Sequence, residues 1–175
     1  MRKLTILIIL VATATVALPQ QMPMPMPKTS GPQSDAQKAF EKLKTLAGSW
    51  EGTYMGMSGN VTIRVTSTGN AILHEMTASG RPDDPITMIY VEGDRLLLTH
   101  FCDSGNRPRM QGKLSPDGNT VTFGFLDVSG NTDEFLIHDI VFTMVDADHH
   151  IEAFTYSVNG KPPIRAPGMQ LQRTK

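Results

Sequence analysis

From Trp50 to its end the chain is a succession of short apolar segments, each broken by a cluster of Gly, Asn, Asp, Ser or Pro. No segment in that span keeps a helical period for long. The strands predicted are 50–57, 61–66, 71–78, 86–91, 96–102, 110–114, 120–126, 134–145, 150–158 and 169–173. Gly93-Asp94 is a two-residue hairpin signal between the fourth and the fifth. Ser58-Gly59-Asn60 reads as the turn between the first and the second, and Ser115-Pro116-Asp117-Gly118-Asn119 as that between the sixth and the seventh. Joining parallel strands takes a crossover of about a dozen residues or more, usually a helix, and no such pattern follows Gly48. Consecutive antiparallel hairpins, about ten strands of them, close into an up-and-down barrel, which leaves no edge exposed. The expected fold class is all-β.

One helix precedes the strands. Ser34 has the character of an N-cap, and Gln37 three residues on completes a capping box. Phe40, Leu43, Leu46 and Ala47 recur at helical spacing, and Gly48 reads as the stop. The apolar stripe needs a surface to cover, and one end of the barrel supplies it.

The chain begins with a basic pair, Arg2 and Lys3, an apolar run at 4–11, and small residues to Ala17. That order is a secretory signal peptide over 1–17, too short in its apolar part to cross a bilayer. Residues 18–34, LPQQMPMPMPKTSGPQS, form a Pro/Met-rich linker with no apolar period to bury. Thioethers at Met22, Met24 and Met26 are soft enough for Cu(I), but no His or Cys accompanies them. The domain is 35–175, with no later membrane-spanning segment. The expected localisation is export, periplasmic or extracellular.

Charge narrows the function classes. The whole chain carries a formal net charge of −1, and loss of Arg2 and Lys3 with the leader leaves 14 basic residues against 17 acidic. A nucleic-acid binder is usually clearly basic, so no nucleic-acid partner is expected. A single Cys excludes a disulfide within the chain and a multi-Cys metal cluster.

Alternation puts Trp50, Gly52 and Tyr54 on one face of the first strand, and Met169, Leu171 and Arg173 on one face of the last. In a closed barrel those strands are neighbours. Arg173 then lies over the indole of Trp50, a structural cation–π pair.

Gly48-Ser49-Trp50 after a short helix, with a basic residue in the final strand, resembles the calycin superfamily of lipocalins, fatty-acid-binding proteins and nitrobindin-like barrels. Ten strands is more similar to the latter two. Leu73-His74-Glu75, Thr99-His100-Phe101-Cys102 and Gly105-Asn106-Arg107-Pro108-Arg109-Met110 resemble segments of an exported bacterial family of unknown function. The resemblance implies a calycin-like barrel and no reaction. Nitrobindin-like proteins bind haem through a His near the C-terminus. His149 and His150 lie at a turn with no matching motif, so no cofactor is specified.

The residues with chemical potential are few. His100 and Cys102 are two apart on a strand, so they share a face with Cα atoms roughly 6–7 Å apart. That suits a thiolate–imidazole pair or two ligands of one metal, and equally a buried wall. His74 and Glu75 face opposite sides, so one of them looks inward. Asn106, Arg107 and Arg109 follow a turn, where guanidinium groups at the barrel mouth would hold a carboxylate or phosphate. The candidate ligand-binding residues are Trp50, Tyr54, His74, Glu75, His100, Cys102, Asn106 and Arg109. No residue is singled out as catalytic, and none as part of a metal site. There is no phosphate-binding Gly-rich loop, nucleophile elbow or zinc-protease motif.

The function expected is storage or carriage of a small, mostly apolar ligand in the barrel. The alternatives are an enzyme or a metal- or haem-binding protein using His100 and Cys102, and a structural or partner-binding barrel filled by its own Phe and Tyr side chains.

Overall fold

Ser34 caps the helix as its neighbours require: its hydroxyl accepts from the Gln37 N–H, and the Gln37 side chain accepts from the Ser34 N–H. The structure, a computed structural model, describes residues 32–54, 56–80 and 84–174. The expected signal peptide and all but the last few residues of the linker lie outside them. Helix α1 (Asp35–Lys44) buries Ala36, Ala39, Phe40 and Leu43 on one face. It ends at Lys44, four residues before the expected stop. Gly48 has another task. Its φ is 141°, and a Cβ there would lie 2.4 Å from Arg173 Nη1. The glycine therefore makes room for a guanidinium rather than capping the helix.

Eleven strands follow: β1 (Gly48–Tyr54), β2 (Met57–Thr66), β3 (Ala71–Ala78), β4 (Ile86–Glu92), β5 (Arg95–Phe101), β6 (Asn106–Leu114), β7 (Thr120–Gly130), β8 (Phe135–Met144), β9 (His149–Val158), β10 (Ile164–Arg165) and β11 (Met169–Arg173). Each of β1 to β8 pairs antiparallel with the next, β9 pairs with β11, and β11 returns to β1. The ring is a closed antiparallel barrel of ten strands, and the two-residue β10 is an extra strand on β9.

Several expected boundaries move. Tyr54 pairs with Met57, so the first reversal falls between them, where Gly56 has a φ of 83°. The Ser58-Gly59-Asn60 cluster lies inside β2 instead, where Gly59 is buried and a side chain there would meet Met169 Sδ at 3.6 Å. β6 begins at Asn106 rather than Met110. Pro108 is tolerated because the ladder to β5 stops at Arg109, so its missing N–H breaks no rung.

The interior has two halves. At one end α1 packs over β4, β5 and β6, and Phe40, Leu43 and Leu46 join Trp50, Phe123 and Phe142 in a buried apolar core. The other end is not filled. Phe101 and Phe125 are exposed and do not fill it. No helix among the described residues is long and apolar enough to cross a membrane.

Candidate functional site

The unfilled end is a cavity of about 350 Å³. Its wall is mainly apolar, with Met76 and Met169 beside two ring pairs, Tyr54 with Phe154 and Phe135 with Tyr156. Exposed Met57 and Asp103 mark its rim.

One row of polar side chains crosses this wall. His74 on β3 is directly opposite Thr87 on β4, and Thr87 is directly opposite His100 on β5. All three are buried and line the cavity. Opposed residues on neighbouring strands have Cβ atoms about 4.5–5.5 Å apart, which lets short side chains touch. The Thr87 hydroxyl is hydrogen-bonded to His100 Nδ1 at 2.8 Å.

Behind His74 stands a buried ionic cluster. The Glu152 side chain is wholly buried. His74 Nε2–H donates to its carboxylate at 3.0 and 3.1 Å, and His150 Nε2–H donates to it at 2.9 Å. The His150 ring meets the Trp50 indole edge-on, with centroids 4.2 Å apart. Burial alone would push the Glu152 carboxyl up, but the two imidazoles outweigh it and hold it at about 2. Burial alone would push His74 down, yet the charge and hydrogen bond of Glu152 raise it above the ordinary imidazole value. Glu152 is thus an anion that His74 neutralises, the condition on which a charge survives inside a protein. His74 Nδ1 and His150 Nδ1 have no hydrogen-bond partner among the described residues.

The predicted site residues divide. Tyr54, His74, His100 and Cys102 line the cavity. Four others do not. Trp50 lies beneath the helix, its Nε1–H donating to the Leu46 carbonyl at 2.8 Å, with Arg173 Cζ 4.0 Å from the ring centroid. Glu75 is on the opposite face of β3 from His74, as alternation requires. Asn106 is buried but spent on backbone, its Nδ2 donating to the Asn131 carbonyl at 2.8 Å and to that of Phe135. Arg109 alternates outward on β6 and forms a two-pronged ion pair with Asp127 on the outer surface, not at the mouth.

Glu152 and His150 were not among the predicted site residues. The signal available for them was parity: they share a phase with Phe154 and Tyr156, which point inward. His149 is exposed with Nδ1 on Asp146, and His150 is held by Glu152; neither lines the cavity.

Cys102 sits just past the end of β5, half-buried, with Sγ 2.8 Å from the Ser104 hydroxyl. Burial raises its thiol above the ordinary value, which disfavours a thiolate nucleophile. Among the described residues, no group of three or more His, Cys, Asp or Glu is placed to hold a metal ion. Labelling of Cys102 in the folded protein at neutral pH is expected to be slow, and equally slow in His100→Ala. Rapid labelling that depends on His100, followed with a chromogenic disulfide reagent, would restore the thiolate–imidazole pair.

No protein-family model matches the sequence, and no curated protein matches it. Solved structures do. The chain is similar to Rv2717c from M. tuberculosis, at 16% identity and a TM-score of 0.58, over 78% of this chain and 98% of that one. It is also similar to a protein of unknown function of the DUF3598 family from Nostoc punctiforme, at 13% identity and a TM-score of 0.54, over 75% of this chain and 49% of that one. At such identities the likeness is one of fold: an antiparallel β-barrel.

Proposed function

We propose that the protein is an exported, calycin-like barrel that holds a small, mostly apolar ligand in its cavity. The observation that carries this reading is the unfilled end of the barrel, where an apolar wall surrounds a single row of buried polar groups. Small-molecule sites have that composition, and about 350 Å³ falls within the range of about 300–1,000 Å³ such sites occupy. Binding would be driven by removal of ligand surface from water, at about 25 cal/mol per Å². The row of His74, Thr87 and His100 would set orientation.

Native mass spectrometry of the protein recovered from its own host tests whether a molecule travels with it. Titration with the uncharged dye N-phenyl-1-naphthylamine gives the second test. Saturable fluorescence enhancement is expected, and Ala78→Trp, which fills the cavity wall, should abolish it. Enhancement that survives this substitution would place the dye elsewhere and overturn the reading.

Export rests on the basic, apolar and small segments that open the sequence. The mature protein is expected to begin near Thr15 or Leu18. N-terminal sequencing of protein collected outside the cytoplasm checks it, and an intact Met1 there would remove the export claim.

A further inference from the structure

The two ends of the barrel are built from different apolar side chains. Away from the cavity, branched aliphatic residues supply much of the packing. Ile72, Ile89, Leu96 and Leu98 are fully buried there, and none of them lines the cavity. Among the described residues of the cavity wall there is no Leu or Val, and Ile137 is the one branched aliphatic side chain beside rings and thioethers. Topology sorts these by side. In the closed ring β8, β9, β11 and β1 are consecutive neighbours. They bring Phe135, then Phe154 and Tyr156, then Met169, then Tyr54 to one continuous wall. The Tyr54 and Phe154 rings meet at 83° with centroids 6.5 Å apart, and those of Phe135 and Tyr156 at 30° and 5.1 Å, so this wall combines ring faces with ring edges. Strands β3, β4 and β5 stand across the ring from it, with Met76 beside the row of His74, Thr87 and His100. That row is engaged within the protein, Thr87 with His100 and His74 with Glu152. Discrimination between apolar ligands therefore falls to the rings and the sulfurs.

We infer that the cavity selects a planar aromatic molecule, of about two or three fused rings, over an alkyl chain or a saturated ring system. This rests on the ligand-binding reading above and names its ligand class. An aromatic ring has a negative face and a positive edge, so it pairs with the faces and edges of neighbouring rings, and that attraction adds to the burial of its area. A thioether sulfur is polarisable and adds a further contact at a ring edge, while its unbranched chain adapts to the shape it meets. A saturated hydrocarbon gains neither. It gains only the burial of area, which an aliphatic wall provides equally well. Size follows from volume. A cavity of about 150 Å³ takes one benzene ring, so one of about 350 Å³ has room for a fused system.

Three uncharged primary alcohols of equal carbon number test this: 2-naphthalenemethanol, its decahydro counterpart and 1-undecanol, each titrated by calorimetry into the full-length mature protein. They share one hydroxyl and differ in flatness and unsaturation. Burial of area alone would rank the two saturated alcohols first, since their added hydrogens carry more apolar surface out of water. The naphthalene alcohol is expected instead to bind about 10- to 100-fold more tightly than either, and Ala78→Trp should abolish its binding. Met76→Leu combined with Met169→Leu keeps the volume of the wall and removes its sulfurs. That variant should bind the naphthalene alcohol about 3- to 10-fold more weakly and the decahydro alcohol unchanged. Where it does not fold, the unmodified protein gives the same answer by NMR: the bound naphthalene should shift the Met76 and Met169 methyl resonances by its ring current, an effect the saturated alcohols lack. Equal or tighter binding of the decahydro alcohol or of undecanol would overturn the aromatic class while leaving the cavity as a ligand site. Binding of the naphthalene alcohol that survives Ala78→Trp would place it outside the cavity and overturn the inference. Binding by none of the three would remove the ligand-binding reading and the aromatic class together.

Discussion

Replacing Glu152 by Ala is expected to cost the barrel about 3–5 kcal/mol, the range seen when one partner of a buried ion pair is removed. The carboxylate is wholly buried and accepts from two imidazoles, so its loss leaves two ring nitrogens without an acceptor in the core. The pH dependence should change shape as well as height. In the unmodified protein Glu152 falls from an ordinary value of 4.5 to about 2, so its contribution is fully present above about 4.5 and fades as pH drops through about 2. His74 is raised above 6.5, so its contribution is fully present below 6.5 and fades as pH climbs through the raised value. This cluster therefore stabilises most between about pH 4.5 and 6.5. Without Glu152, burial is the largest influence left on His74, against lesser support from its own main chain and from Glu75, and it is expected to lower the imidazole. The folded state then binds fewer protons than the unfolded, and stability should rise with pH through the imidazole range instead of falling. Urea midpoints measured from pH 3 to 9 for both proteins check this. An alkaline limb of unchanged sign in Glu152→Ala would mean that Glu152 does not set the state of His74.

The same cluster shows where reading a sequence stops. The barrel was legible because alternation and turn chemistry are local: the strands 71–78 and 169–173 were predicted with the bounds they have, and Ser34 and Gln37 announced the helix start. The helix stop was misread because a glycine signals positive φ without saying what needs it, and at Gly48 the need comes from Arg173, far along the chain. The turn at Ser58-Gly59-Asn60 was misread because the chain reverses before it, at Gly56, and Gly59 sits within the ladder opposite Gly52 and Ala78. Of the site, parity put Tyr54 on the inner face and His100 with Cys102 on one face, and left open which of His74 and Glu75 looks inward. Arg107 and Arg109 misled because a basic pair near a turn suggests a mouth, whereas strand β6 had already begun and alternation sent both outward. The pairing of His74 with Glu152 spans 78 positions and is made only when β9 closes on β11 and β1. No local pattern encodes it. Parity could have turned His150 and Glu152 inward, but not named their partner.

Trp50→Ala is expected to cost about 3–5 kcal/mol, as large-to-small changes of buried aromatics do, and Arg173→Ala less, with the two effects strongly coupled. Trp50 is fully buried and directly opposite Arg173 in the register that closes the ring. The guanidinium lies over the indole and also donates to three backbone carbonyls: Nη1 to Ala47 at 2.8 Å, Nη2 to Thr45 at 3.2 Å and Nε to Ala147 at 3.0 Å. Thr45 and Ala47 belong to the end of the helix connection, Ala147 to the turn before β9. One side chain therefore ties the helix, the first strand and the last hairpin to the seam. The indole completes the tie by donating to Leu46. Removing either ring or guanidinium leaves the other without its partner, so a double-mutant cycle should return an interaction of about 0.5–3 kcal/mol. Arg173→Lys should recover little of it, because an ammonium on a flexible stem cannot lie flat on the indole while donating along three directions. Hydrogen exchange at 46–50 should accelerate in Arg173→Ala before global unfolding does, since the seam opens there first. Strict additivity of Trp50→Ala and Arg173→Ala, with exchange at 46–50 unchanged, would mean that the seam is held by its backbone ladder alone and that the cation–π pair contributes nothing to closure.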